Sequence, residues 1–177
     1  MDLPKGLKKK DKPKKSQSHR NRGMKFENIL IDLFEQLEKE DILFMQKIPT
    51  DWVVQGRGNR IVSAFPKAKS ICDFLGCNNK GEAIAIEAKS TKTNTSFAFS
   101  NISDHQYKFF DKWCKMSRGY YAIYFSELEE MYLCEAMHFA KEKQTIGRKS
   151  FPYDWFQDPD NTIRINDIDD LRSFFLN

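Results

Sequence analysis

The run Glu82-Ala83-Ile84-Ala85-Ile86-Glu87-Ala88-Lys89 constrains this chain more than any other stretch. Its small and β-branched residues predict a strand. Ala83 to Ile86 show no polar alternation, which predicts a central strand covered on both faces. Two charges sit two apart inside it, at Glu87 and Lys89. Strand side chains alternate, so both project from one face. Burying charge there is costly unless the charge is paired or holds a metal. Upstream lies Ile71-Cys72-Asp73, and Gly76-Cys77-Asn78-Asn79-Lys80-Gly81 between the two predicts a hairpin turn. An Asp on one strand and Glu-x-Lys on the next bring two carboxylates beside an ammonium. Such a set can hold Mg²⁺ and place a water for attack on a phosphodiester, the chemistry of a metal-dependent nuclease. The pattern is short, and a hairpin edge with solvated charges is the alternative left open.

The rest of the chain supplies helices and further strands around that hairpin. From Phe26 to Glu38, apolar residues recur at Phe26, Ile29, Leu30, Leu33, Phe34 and Leu37, an amphipathic helix with one buried stripe. Trp52–Gln55 and Ile61–Phe65 are β-rich runs joined by Gly56-Arg57-Gly58-Asn59-Arg60, a second hairpin spanning about 52–65. Ser103-Asp104-His105-Gln106 has the form of a capping box, followed by Tyr107, Phe110, Trp113 and Cys114 at helical spacing. Tyr120–Phe125 and Met131–Cys134 predict two more strands. Ala136–Lys141 and Asp167–Phe175 predict helices. The order predicts an α/β fold, a mixed β-sheet flanked by helices.

Charge is unevenly distributed. Residues 1–25 hold ten Lys/Arg against two Asp, whereas the remainder holds 19 basic and 23 acidic side chains. Residues 1–22 are rich in Lys, Pro and Ser, and are expected to be a disordered basic tail ahead of a domain over 23–177. Such a tail binds polyanions by counterion release, Lys8, Lys9 and Lys10 being the densest cluster; a solvated solubilising tail is the alternative. No apolar run approaches the roughly 20 residues of a membrane helix, and the basic N-terminus lacks the apolar segment of a secretory signal. Cys72, Cys77, Cys114 and Cys134 form no CxxC pair, so reduced thiols in a cytoplasmic protein are expected, with no membrane partner.

Asn21-Arg22-Gly23-Met24-x-x-Glu27, Asp73 with Gly76, Glu87-Ala88-Lys89, Lys92 to Phe97, Asp104-His105-Gln106 and Gly147-Arg148-Lys149-Ser150 occur in one order over most of residues 21–150. This series resembles the RecU-type Holliday junction resolvases, a branch of the PD-(D/E)xK nuclease superfamily. The resemblance implies a restriction-endonuclease-like core with a β-hairpin stalk insertion, here about 52–65. It implies a homodimer that nicks two strands of a four-way junction with Mg²⁺ or Mn²⁺ in recombination and repair, with a recombinase as a further partner. Asp73 and Glu87 would be metal ligands, Gln106 would complete the metal site directly or through water, and Lys89 would orient the attacking water. Glu27 would support the metal site or be a solvated first-turn acid. Lys92, Thr93, Asn94, Thr95 and Ser96 would form a phosphate-contacting loop or a plain polar turn, and Arg148 and Lys149 would contact the DNA backbone. Arg57 and Arg60 would stand at the stalk tip. His105 would contact DNA, act as a general acid or be an ordinary surface histidine. Ile71 departs from the family, which tends to have a threonine two residues before the aspartate, and the stalk looks short. Another nuclease of the same scaffold acting on linear duplex, and a non-catalytic DNA-binding or recombinase-modulating protein, remain the rival functions.

Deleting residues 1–20 is expected to weaken binding to DNA of every shape while leaving junction preference intact, because a disordered tail reads charge and not shape. If about four tail cations touch phosphates, the slope of log K against log salt shrinks by roughly 3–4 units. Binding isotherms at several salt concentrations check this, and an unchanged slope makes the tail a bystander.

Overall fold

The computed structural model describes residues 15–49, 52–57, 60–66 and 70–177; side chains are described from Gly23 onward and, within 52–66, at Gln55 and Ser63. Helix α1 spans Lys15–Lys39, so it begins inside the segment expected to be a disordered tail. Among the described residues, ten strands follow in chain order: β1 Leu43–Lys47, β2 Trp52–Arg57, β3 Arg60–Pro66, β4 Phe74–Asn78, β5 Ala83–Thr91, β6 Ser96–Ala98, β7 Arg118–Phe125, β8 Glu130–Glu135, β9 Ser150–Pro152 and β10 Ile163–Ile165. The later helices are α2 Asp104–Trp113, α3 Ala136–Thr145, α4 Tyr153–Gln157 and α5 Ile168–Leu176.

Six strands form one mixed sheet in the order β1-β4-β5-β7-β8-β10. The β5/β7 pair is parallel and its neighbours β4/β5 and β7/β8 are antiparallel. This is the mixed sheet with flanking helices expected from the element order. A parallel pair needs a crossover, and the chain makes it through β6 and α2, which bring Gln106 back over the face that carries Glu87. The predicted 52–65 hairpin corresponds to β2 and β3, which pair antiparallel as a separate two-stranded sheet.

Alternation along the central strands separates two cores. Ile84, Ile86, Tyr120 and Ala122 point to one face, where they meet Phe26, Leu30, Phe34 and Leu37 of α1 and Leu171 and Phe175 of α5. Ala85, Tyr121 and Ile123 point to the other, against Phe110 of α2, Phe139 of α3 and Trp155 and Phe156 of α4. The predicted helical stripe is therefore the buried one, except that Ile29 remains 42% exposed at its margin. Each fully buried aromatic or aliphatic side chain contributes about 1.5–3 kcal/mol, so two such layers hold the sheet firmly between them. The second layer is aromatic: the Phe151 ring stacks on Trp155 at 3.8 Å, and Phe139 meets Phe97, Phe99, Tyr121 and Phe151 edge-on.

One glycine sets how closely the site's two flanking strands approach. Gly76 pairs with Met45, and a Cβ there would collide with the Phe44 carbonyl oxygen and lie 2.8 Å from Met45 Cα. Backbone cannot yield as a flexible side chain does. Gly76→Ala is therefore expected to cost about 3 kcal/mol, the upper end of overpacking penalties, read as a lowered urea midpoint at unchanged slope.

Candidate active site

The site forms where β4 and β5 part. Their last paired residues are Phe74 and Ile86. Asp73 precedes β4 by one residue, so it stands at the strand's entrance and not on it, as the sequence had suggested. Its Oδ2 accepts the Ala88 N–H at 2.8 Å, giving that donor a partner beyond the end of the ladder. Its own carbonyl accepts the Ile48 N–H at 2.8 Å, which ties it to the end of β1 as well. Two backbone hydrogen bonds thus fix where the Asp73 carboxylate points.

Glu87 lies on the same face of β5 as Ala85 and Lys89, turned toward α2, and is 1% exposed. Its Oε1 is 2.7 Å from Lys89 Nζ and also accepts from Gln106 Nε2. Its Oε2 is buried with no hydrogen-bond partner. The charge pairing at i and i+2 is thus the one anticipated from strand periodicity. Burial pushes the Asp73 and Glu87 carboxyls upward, and Asp73's charge adds to the rise at Glu87, carrying it to about 8 against the pull of Lys89. Cys72, fully buried beside them, is pushed to about 12 by desolvation and then by the Glu87 and Asp73 charges, which makes it a packing residue and no nucleophile.

Gln106 serves two masters. The capping box is present, with Ser103 N–H donating to Gln106 Oε1 at 3.0 Å. That bond assigns the amide: oxygen toward the cap, nitrogen toward Glu87. Its oxygen is thus engaged by the cap and its nitrogen by Glu87. Glu27 pairs with Lys47 at 2.6 Å, yet its charge still helps to raise Asp73. Among the described residues no group of three or more His, Cys, Asp or Glu could hold a metal, so the carboxylate set here is the pair Asp73 and Glu87.

Other expected residues are dispersed around this pair. Lys92, Thr93, Asn94 and Thr95 are exposed on the β5–β6 loop and Ser96 is half-buried at its end. Lys92 approaches Glu127 at 4.0 Å. Arg148 and Lys149 are exposed before β9; β6 and β9 pair antiparallel, which puts them at the far end of that short ribbon from Thr95. Ile71 is 45% exposed and supplies no hydroxyl. Lys8, Lys9 and Lys10 lie outside the described residues, as do the side chains of Arg57 and Arg60. Sequence reasoning missed Lys47, because β1 went unassigned; the alternation of buried Leu43 and Met45 with exposed Phe44 and Gln46 was the available signal.

A divalent cation fits this chemistry. Two convergent carboxylates, one with a buried unpartnered oxygen, supply hard ligands where a lone anion is expensive. The sign of the pH dependence without metal follows. An acid whose folded pKa is raised holds a proton that the unfolded chain has released, so its contribution is present below the ordinary value of 4.5 and lost as pH rises through about 8. In the presence of a chelator, thermal melts should show stability falling across that interval, and Glu87→Gln should flatten the fall. Equal pH profiles for the two proteins would contradict the raised Glu87 carboxyl.

Residues 21–171 match the sequence model of the family described as Recombination protein U. Curated relatives agree. "Holliday junction resolvase RecU" of Bacillus licheniformis is 32% identical over 160 residues, covering 85% of this chain and 80% of the relative. The protein of the same name from Bacillus subtilis is 31% identical over 150 residues, covering 80% and 72%. That of Bacillus thuringiensis is 32% identical over 148 residues, covering 78% and 74%. The match spans α1 to α5 and includes every element that builds the carboxylate pair, and the chain belongs to the RecU family.

Proposed function

We infer that this chain is a metal-dependent endonuclease that resolves four-way DNA junctions in recombination and repair, working as a homodimer. One observation carries the catalytic part: Asp73 and the buried Glu87 converge, Glu87 Oε2 has no partner, and Lys89 stands 2.7 Å from the other oxygen. Membership of a family whose curated relatives are named Holliday junction resolvases supports the substrate.

Asp73 and Glu87 would hold Mg²⁺ or Mn²⁺, which when bound neutralises phosphate charge and lowers the pKa of a water. Gln106 keeps Glu87 from rotating. Lys89, 21% exposed at its side chain, reaches from the buried carboxylate toward solvent, where it can orient the attacking water and stabilise negative charge developing on the phosphoryl oxygens. Lys92 to Ser96, Arg148 and Lys149 would contact phosphates, and Arg57 and Arg60 would meet the junction opening. A C₂ dimer presents two equivalent active sites to two equivalent strands, which paired nicks require. A recombinase is a further partner on the family's pattern.

The test is nicking of a fixed four-way junction and of matched linear duplex, with Mg²⁺ and with chelator. Asp73→Asn and Glu87→Gln should abolish nicking while junction binding persists, since phosphate contacts elsewhere supply most of the affinity. Lys89→Ala should lose on the order of 10²-fold in rate, the typical effect of removing one preorganised electrostatic group. Sedimentation of the free protein should give a dimer mass. A monomer that makes unpaired nicks, or equal cutting of linear duplex, would overturn the resolvase assignment; near wild-type nicking by the Glu87 variant would overturn the site.

A further inference from the structure

We propose that His105 is a positioning residue that sets the separation of the two carboxylates, which rests on the nuclease assignment above. His105 is the second residue of α2 and is half-buried. Its Nε2 lies 3.2 Å from the Ser70 carbonyl oxygen. A carbonyl only accepts, so Nε2 carries the hydrogen. In that tautomer Nδ1 is the acceptor, and it lies 2.8 Å from Ser103 Oγ. Both nitrogens are engaged within the protein, which leaves neither free for a DNA phosphate or for general acid work.

The two ends of this bridge lead to different carboxylates. Ser103 is the cap of α2; in this tautomer its hydroxyl hydrogen goes to His105 Nδ1, and its N–H donates to Gln106 Oε1 at 3.0 Å. Gln106 in turn donates to Glu87 Oε1. Ser70 opens the short segment that presents Asp73, and its Oγ bonds the Cys72 carbonyl at 2.5 Å. Among the described residues, no other hydrogen bond joins residues 70–73 to α2. One imidazole therefore links the strand entrance that carries Asp73 to the cap that holds Glu87. Without it, α2 and the 70–73 segment are coupled by packing alone, and the two carboxylates can drift apart.

Groups that orient metal ligands typically alter metal affinity by about 10–100-fold when removed. The test is calorimetric titration of the full chain with Mn²⁺, alongside junction binding without divalent metal and nicking as a function of Mn²⁺ concentration. His105→Gln places an amide nitrogen near the Nε2 position and keeps the Ser70 bond; His105→Asn is shorter and reaches only Ser103. His105→Ala and His105→Asn should weaken Mn²⁺ binding about tenfold or more, and His105→Gln should stay close to wild type. Saturating Mn²⁺ should restore nicking by His105→Ala, and metal-free junction binding should be unchanged throughout. Unaltered Mn²⁺ isotherms for His105→Ala and His105→Asn overturn the proposal, as does a loss of metal-free junction binding, which would make His105 a DNA contact. If the alanine variant does not fold, His105→Asn against His105→Gln decides. Failure of the wild-type chain to bind Mn²⁺ sinks the nuclease assignment itself, an outcome distinct from normal wild-type binding with indifferent variants.

Discussion

A carboxylate in the middle strand of a sheet covered on both faces is the constraint around which this protein is arranged. Glu87 is 1% exposed, and desolvation of its charge is opposed only on one oxygen, by Lys89 and Gln106. Buried ion pairs rarely repay their desolvation in full, and an apolar residue of similar volume would pack there at lower cost. The structure holds Glu87 in place at that expense. Phe110 and Tyr121 wall the far side of the site, and the Gln106 amide is fixed by its own helix cap before it meets the carboxylate. The local dielectric is low, so each charge brought to the site acts with more force than it would in water.

The aim of the Asp73 carboxylate depends on how β4 ends. Continued antiparallel pairing past Phe74 and Ile86 would set Asp73 directly opposite Glu87, with the two backbones bonded to each other. Instead the Asp73 side chain takes the next free N–H of β5, a backbone donor that a ladder would otherwise satisfy. The Ile48–Asp73 hydrogen bond holds the same residue from the β1 side. Tight apposition of β1 and β4, which only glycine permits at position 76, is thus linked to the placement of the Asp73 carboxylate some residues away.

Much of this was legible in the residues. Period-two spacing put Glu87 and Lys89 on one face, and the unbroken Ala83–Ile86 run marked a central strand, because alternation and burial leave a direct imprint on composition. The Ser103–Gln106 cap was legible for the same local reason. What escaped was set by tertiary context. β6, β9 and β10 have three residues each, too few for a periodic signal. The extension of α1 back to Lys15 runs through a charged segment with no apolar stripe to announce it. The Glu27–Lys47 pair and the His105–Ser70 bridge join positions far apart in sequence, and only the folded sheet brings them together. The orientation of Gln106 was half legible: the capping box predicted where its oxygen goes, and that already restricts what its nitrogen can reach.

The position of the β2–β3 hairpin in the chain bears on how shape recognition and chemistry are joined. The hairpin is inserted between β1 and Asp73. The chain leaves the sheet just after Ile48 and is back at the sheet by Asp73, and these two residues share a hydrogen bond of 2.8 Å. Both roots of the insertion therefore meet at Asp73. On the proposed function, the hairpin that would meet the DNA adjoins the segment that His105 bonds at Ser70. A rigid root would turn engagement of a branched substrate into accurate placement of the scissile phosphate, where an error of about 1 Å costs on the order of 10²-fold in rate. A loose root would let the hairpin bind without aligning the chemistry. The hydrogen bonds converging on residues 70–73 tie the chain's return from the insertion to β1, β5 and α2 at once.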